Sequence, residues 1–86
     1  MTDIGDLVHA LRNTPVREII RALERDGFSL KRETGSGGRI YSHPDNRLTV
    51  VHYHHSSDTL TRKVLRSILE AVKWTEDDLK RLGLLR

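Results

Sequence analysis

Apolar residues recur along this chain with two different periods, and the points where the period changes divide it into elements. Ile4, Leu7, Val8 and Leu11 fall at helical spacing and predict a short helix within residues 3–12, weakened by Gly5. Val16, Ile19, Ile20 and Leu23 follow the i, i+3, i+4, i+7 pattern, with Arg17, Glu18, Arg21, Glu24 and Arg25 on the remaining faces. Thr14-Pro15 predicts the start of that helix, a capping hydroxyl and then proline at the first helical position, and Gly27 predicts its stop. The period then drops to two. Phe28 to Glu33 alternates, with Phe28 and Leu30 on one face and Ser29 and Lys31 on the other, as a half-buried strand does. Arg39 to His43 predicts a second strand, and Arg47 to His54, rich in β-branched and aromatic residues, a third. Within the third, Leu48 and Val50 argue for one buried face, Val51 and Tyr53 for the other.

Thr34-Gly-Ser-Gly-Gly38 and Pro44-Asp-Asn46 are turn sequences, so the three strands are expected to form an antiparallel meander. Helical spacing returns after the polar link Ser56-Ser-Asp-Thr59: a helix beginning near Thr61 places Leu65, Ile68, Leu69 and Val72 on one stripe. Thr75-Glu-Asp-Asp78 has the form of a capping box for a last short helix ending by Gly83, with Leu79 and Leu82 inward and Trp74 pinning it to the body. The predicted class is α+β, an α-β-β-β-α order with two helices on a three-stranded sheet plus a short C-terminal helix. Double-stranded RNA-binding domains share that dsRBD-like order. Residues 1–13 read as an N-terminal extension and 14–86 as one domain.

Length limits the 86 residues to one domain with one modest core. The chain carries no apolar run long enough to cross a membrane, no basic-then-apolar leader pattern and no cysteine, which fits a cytoplasmic protein. A net charge of +3 is mildly basic, compatible with nucleic acid without implying it. Lys31, Arg32, Arg39, Arg47, Arg62, Lys63 and Arg66 are candidate phosphate contacts, or equally an ordinary charged surface diluted by Glu24, Glu33 and Asp58. Arg62, Lys63 and Arg66 sit near the start of a helix, where cations oppose the helix dipole, a hint that they face an anionic partner.

The chemistry concentrates in the middle of the chain. The glycine-rich turn admits close approach of a bulky partner, and Ser36, Arg39 and Tyr41 beside it suit RNA phosphates and bases; a hairpin turn that needs glycine only sterically is the competing reading. Of five histidines, His43, His52, His54 and His55 crowd this region. His52 and His54 share a face of the third strand. Three readings stay open for them: exposed groups that only titrate, an acid/base for catalysis, or a zinc site completed by His43 or His55.

Three segments resemble the HicA toxins, also called the YcfA-like family. They are Val16-Arg-Glu-Ile-Ile-Arg-Ala-Leu-Glu-Arg-Asp-Gly-Phe28, Arg39-Ile-Tyr-Ser-His-Pro44 and Thr59-Leu-Thr-Arg-Lys-Val-Leu-Arg-Ser-Ile-Leu69, and together they span roughly residues 14–83. The resemblance implies a dsRBD-like fold and a metal-independent endoribonuclease that cuts mRNA. It also implies a HicB-like antitoxin protein covering the active face, and it implies no cofactor.

One departure bears on the chemistry. The family carries glycine-serine-histidine just before the second strand, and that histidine is its catalytic residue. Counted back from Arg39-Ile-Tyr41, the histidine position is Gly38; anchored on Gly35-Ser36 it is Gly37. Glycine moves no proton, so cleavage is expected to be impaired, with His52 and His54 as candidate substitutes, and a histidine placed at 38 is expected to fit. The rival readings are a noncatalytic RNA-binding dsRBD-like module and a protein whose only ligand is an antitoxin.

Overall fold

The stripe that begins at Val16 buries Val16, Ile19, Ala22 and Leu23 in one helix, and the stripe after Thr61 buries Leu65, Ile68, Leu69 and Val72 in another. The computed structural model describes residues 3–85. Its elements are α1 (Ile4–Ala10), α2 (Val16–Asp26), β1 (Ser29–Glu33), β2 (Gly38–Ser42), β3 (Leu48–His52), α3 (Arg62–Val72) and α4 (Glu76–Arg81). The sheet is antiparallel throughout, in the order β1-β2-β3, and the helices cover one of its faces in the dsRBD-like arrangement. Side chains of both helices meet Phe28, Tyr41, Val51, Trp74 and Leu79 in a single core. Leu7, Val8 and Leu11 belong to that core too, so the segment expected as an extension contributes a helix packed beside α3.

Alternation decides the ambiguous third strand. Thr49 and Val51 are buried toward the helices and Tyr53 is half-buried, whereas Leu48 and Val50 face outward, 47% and 36% exposed. β3 is also shorter than expected, because the chain leaves the ladder after His52. Leu30, expected inside with Phe28, is instead 47% exposed. The reason is local: β1 is an edge strand, all five of its residues are exposed, and a bulge between Leu30 and Arg32 breaks its alternation.

Two contacts set the ends of the fold. At one end α2 starts without the expected Thr14 cap. Pro15 takes the N-cap position, and Val16 and Arg17 donate their N–H groups to the carbonyls of Asp58 and Ser56, at 2.7 and 3.0 Å. The loop after β3 thus performs what the Thr14 hydroxyl was expected to do, helped by the Pro15–Thr59 bridge. At the other end Asp26, the last residue of α2, gathers distant segments. Its carboxylate accepts from Trp74 Nε1 at 2.9 Å and from Arg47 and Arg81 at 3.0 Å each, while its carbonyl meets His43 Nε2 at 2.7 Å. Burial by itself would push this carboxyl up; the hydrogen bonds from Trp74 and Arg81 and the charge and hydrogen bond of Arg47 outweigh that and hold it below the usual carboxylate range. Trp74 is buried as expected, and α4 starts on the expected capping box between Thr75 and Asp78.

Candidate active site

Chain direction gathers the turn Thr34–Gly37, the loop after β3 and the first turns of α2 and α3 at the end of the sheet opposite Asp26. Thr34 shapes the turn. Its N–H donates to the Gly38 carbonyl at 2.8 Å, its hydroxyl accepts from Gly38 N–H at 3.0 Å, and its carbonyl accepts from Gly37 N–H at 3.4 Å. Gly37 holds φ +89°, a conformation that side chains disfavour. Ser36 is exposed, its hydroxyl 3.4 Å from that of Thr34.

Register then decides what surrounds Gly38. His43 N–H donates to Arg47 O and Tyr53 N–H donates to Gly37 O, so Gly38 and His52 form a pair not joined by backbone hydrogen bonds. Side chains in such pairs lie closest together, on α-carbons about 4.5 Å apart. The imidazole of His52 indeed covers Gly38. A β-carbon on Gly38 would lie 2.7 Å from His52 Cε1, 3.1 Å from its Nδ1 and 2.7 Å from Thr34 Oγ1. A side chain at position 38 would therefore require the His52 ring and the Thr34 hydroxyl to move aside, since both now fill that space. His54 lies beside the neighbouring glycine, its ring 3.8 Å from where a β-carbon on Gly37 would be.

The two faces of the sheet divide the remaining candidates. Gly38, Ile40, Ser42, Leu48, Val50 and His52 share the outer face, and the pairing of Arg32 with Ile40 puts Arg32 there as well. Lys31 and Arg32 are exposed, and among the described residues neither forms an ion pair. Arg39 stands on the helix side, its guanidinium 4.2 Å above the Tyr53 ring and 3.5 Å from Glu33. Tyr41 is 5% exposed within the core, where burial pushes its hydroxyl up, so it offers no ring to a ligand on the outer face. Arg62, Lys63 and Arg66 are exposed on the first turns of α3, beside Gly5 and Val8, and Arg66 pairs with Glu70 at 3.1 Å. They form a second basic patch, apart from Lys31 and Arg32.

Arg47 is no phosphate contact. It bridges Asp26 and Asp45, donates to the Val72 carbonyl and stacks 5.0 Å from the Phe28 ring. His43 sits at the same far end, with Nε2 on the Asp26 carbonyl and Nδ1 accepting from Asp45 N–H at 3.1 Å, so it cannot join His52 and His54 around a zinc ion. Among the described residues no three histidine, cysteine or acidic side chains converge as a metal-binding group.

A histidine-flanked glycine turn on an α-β-β-β-α scaffold is the arrangement on which the family comparison bears. A sequence model described as HicA toxin of bacterial toxin–antitoxin matches residues 16–74, from the first residue of α2 to Trp74. The chain belongs to the HicA toxin family. Among curated proteins no sequence matches it. In this HicA-family toxin the matched span holds α2, the whole sheet and α3, while α1 and α4 lie outside it. The match also bounds the class of partner, since a toxin of such a pair has an antitoxin. No helix among the described residues is long and apolar enough to cross a membrane.

Proposed function

We propose that this HicA-family toxin is a metal-independent endoribonuclease that cleaves mRNA. RNA lies on the outer face of the sheet at the Gly38 end, and a HicB-like antitoxin neutralises the toxin by covering that face. One observation carries the reading: the imidazoles of His52 and His54 flank the adjacent glycines Gly37 and Gly38, on the sheet that also carries the exposed cations Lys31 and Arg32, which form no ion pair among the described residues. Cations hold the RNA backbone, the open Gly35 of the turn lets it come close, and an imidazole, with an ordinary pKa of about 6.5, is suited to moving protons near neutral pH. Arg62 and Lys63 form a separate basic patch on the helix layer, at the first turn of α3. Gly38 has no side chain with which to move a proton. Cleavage is therefore impaired relative to a toxin with histidine there, unless another imidazole reaches the same spot.

The purified protein, mixed with 5′-labelled RNA in a chelating buffer, is expected to yield fragments ending in a cyclic phosphate and to leave the 2′-deoxy analogue whole. The glycine at position 38 favours one rival, a noncatalytic RNA-binding module. Tight RNA binding with no fragments would establish that rival, and absence of any RNA affinity would leave the antitoxin as the sole ligand.

A further inference from the structure

We propose that His52 is the catalytic imidazole of this toxin, supplied from β3 to the place that a side chain at position 38 of β2 would fill. The inference deepens the ribonuclease reading and rests on it. Position 38 and position 52 face each other across the closest kind of antiparallel pair, on the outer, open side of the sheet. Glycine at 38 is the complement of histidine at 52, because any β-carbon there would meet the imidazole at 2.7 Å. The ring thus projects from the same point of the surface, carried by the neighbouring strand. Its nitrogens are uncommitted: His52 makes no hydrogen bond within the described residues, unlike His43, both of whose ring nitrogens are engaged. His54 lies two residues beyond the end of β3, beside Gly37 in the turn, where no strand pairing fixes it.

The step balances with one imidazole. Neutral His52 takes the proton of a ribose 2′-hydroxyl, and the 2′-oxygen forms its bond to phosphorus as the bond from phosphorus to the 5′-oxygen breaks. The imidazolium then returns the proton to the departing 5′-oxygen. The products are a 2′,3′-cyclic phosphate and a 5′-hydroxyl, with no change of oxidation state.

The test compares His52→Ala, His52→Gln and His54→Gln in single-turnover cleavage and in RNA binding, with circular dichroism to confirm folding. Both His52 variants are expected to lose about 10²-fold or more in rate, the share one positioned acid/base contributes, while RNA affinity holds. His54→Gln is expected to lose less. The alanine variant opens a space over Gly38, and added free imidazole is expected to restore cleavage in it and to leave His52→Gln and the unaltered protein as they were. A merely structural His52 would not respond to imidazole. If His52→Ala cuts within a few-fold of the unaltered protein, or loses cleavage without rescue, His52 is not the acid/base and the ribonuclease reading stands on another group. If the unaltered protein cuts no RNA at all, this assignment and the ribonuclease reading fall together.

Discussion

Replacing Asp26 with asparagine removes one negative charge and almost no volume. The side chain it alters is 10% exposed and holds three segments at once: Trp74 at the start of the C-terminal region, Arg47 before β3 and Arg81 at the end of α4. The three contacts are unequal. A hydrogen bond to a charged, largely buried acceptor such as the one from Trp74 Nε1 contributes about 1.5–3 kcal/mol. Arg81 is 55% exposed and screened by water, so its share is about 0–1 kcal/mol. Arg47 keeps Asp45 at 2.7 Å and the Val72 carbonyl, so it is not stranded without a partner. The expected loss at neutral pH is therefore about 2–3 kcal/mol. For a domain of this size that lowers Tm by about 10–20 °C. Urea and thermal unfolding followed by Trp74 fluorescence measure it directly. The pH dependence identifies the cause. Asp26 has a folded pKa below its unfolded value of about 3.9, so its contribution is complete above that value and is lost as pH falls through the folded pKa. The unaltered protein and Asp26→Asn should thus differ at pH 7 and converge in strong acid. Equal stabilities at pH 7, or a gap that persists unchanged at low pH, would refute the argument.

Reversing Lys31 and Arg32 to glutamate should weaken RNA binding for all sequences alike and flatten its dependence on salt, by about 1.4 in the logarithmic slope if two single-strand phosphate contacts are lost; binding that ignores a tenfold rise in salt would remove the electrostatic reading. RNA and the antitoxin should compete for the outer sheet face, so titrating antitoxin into the toxin–RNA complex releases RNA, and a ternary complex at full affinity would contradict this. Gly38→Ala should cost about 1 kcal/mol in urea unfolding, the low end of the range for overpacking, because its methyl group displaces the movable His52 ring and Thr34 hydroxyl. Adding His52→Gly should recover part of that loss, and no recovery would mean that the imidazole does not occupy the space.

The helices were legible because burial follows the 3.6-residue period: the Val16 and Leu65 stripes are the core. The capping box at Thr75 was legible for a similar reason, since both partners lie within four residues. The meeting of His52 with Gly38 was in principle readable too. A turn centred on Asp45 pairs His43 with Arg47, and stepping outward along both strands brings 38 opposite 52. What hid it was the unresolved choice of which β3 face is buried, which only packing against the helices settles. Leu30 misled because an edge strand with a bulge loses its alternation. Arg47 and Asp26 misled more deeply. Charge alone cannot distinguish an arginine that waits for phosphate from one locked against an aspartate 21 positions away, and no local pattern announces that partner.

The bonds of α2 also set an order of completion during synthesis. Its residues are made early, yet its first N–H groups find their acceptors only when Ser56 and Asp58 have followed, and its last residue gains its full set of partners only when Trp74 and Arg81 join Arg47 and His43. Until then the growing chain has a helix with bare ends and a sheet without its lock. A toxin built in this way reaches its finished fold only after its C-terminal segment has been made, because the acceptors and donors that close both ends of α2 come from later in the chain.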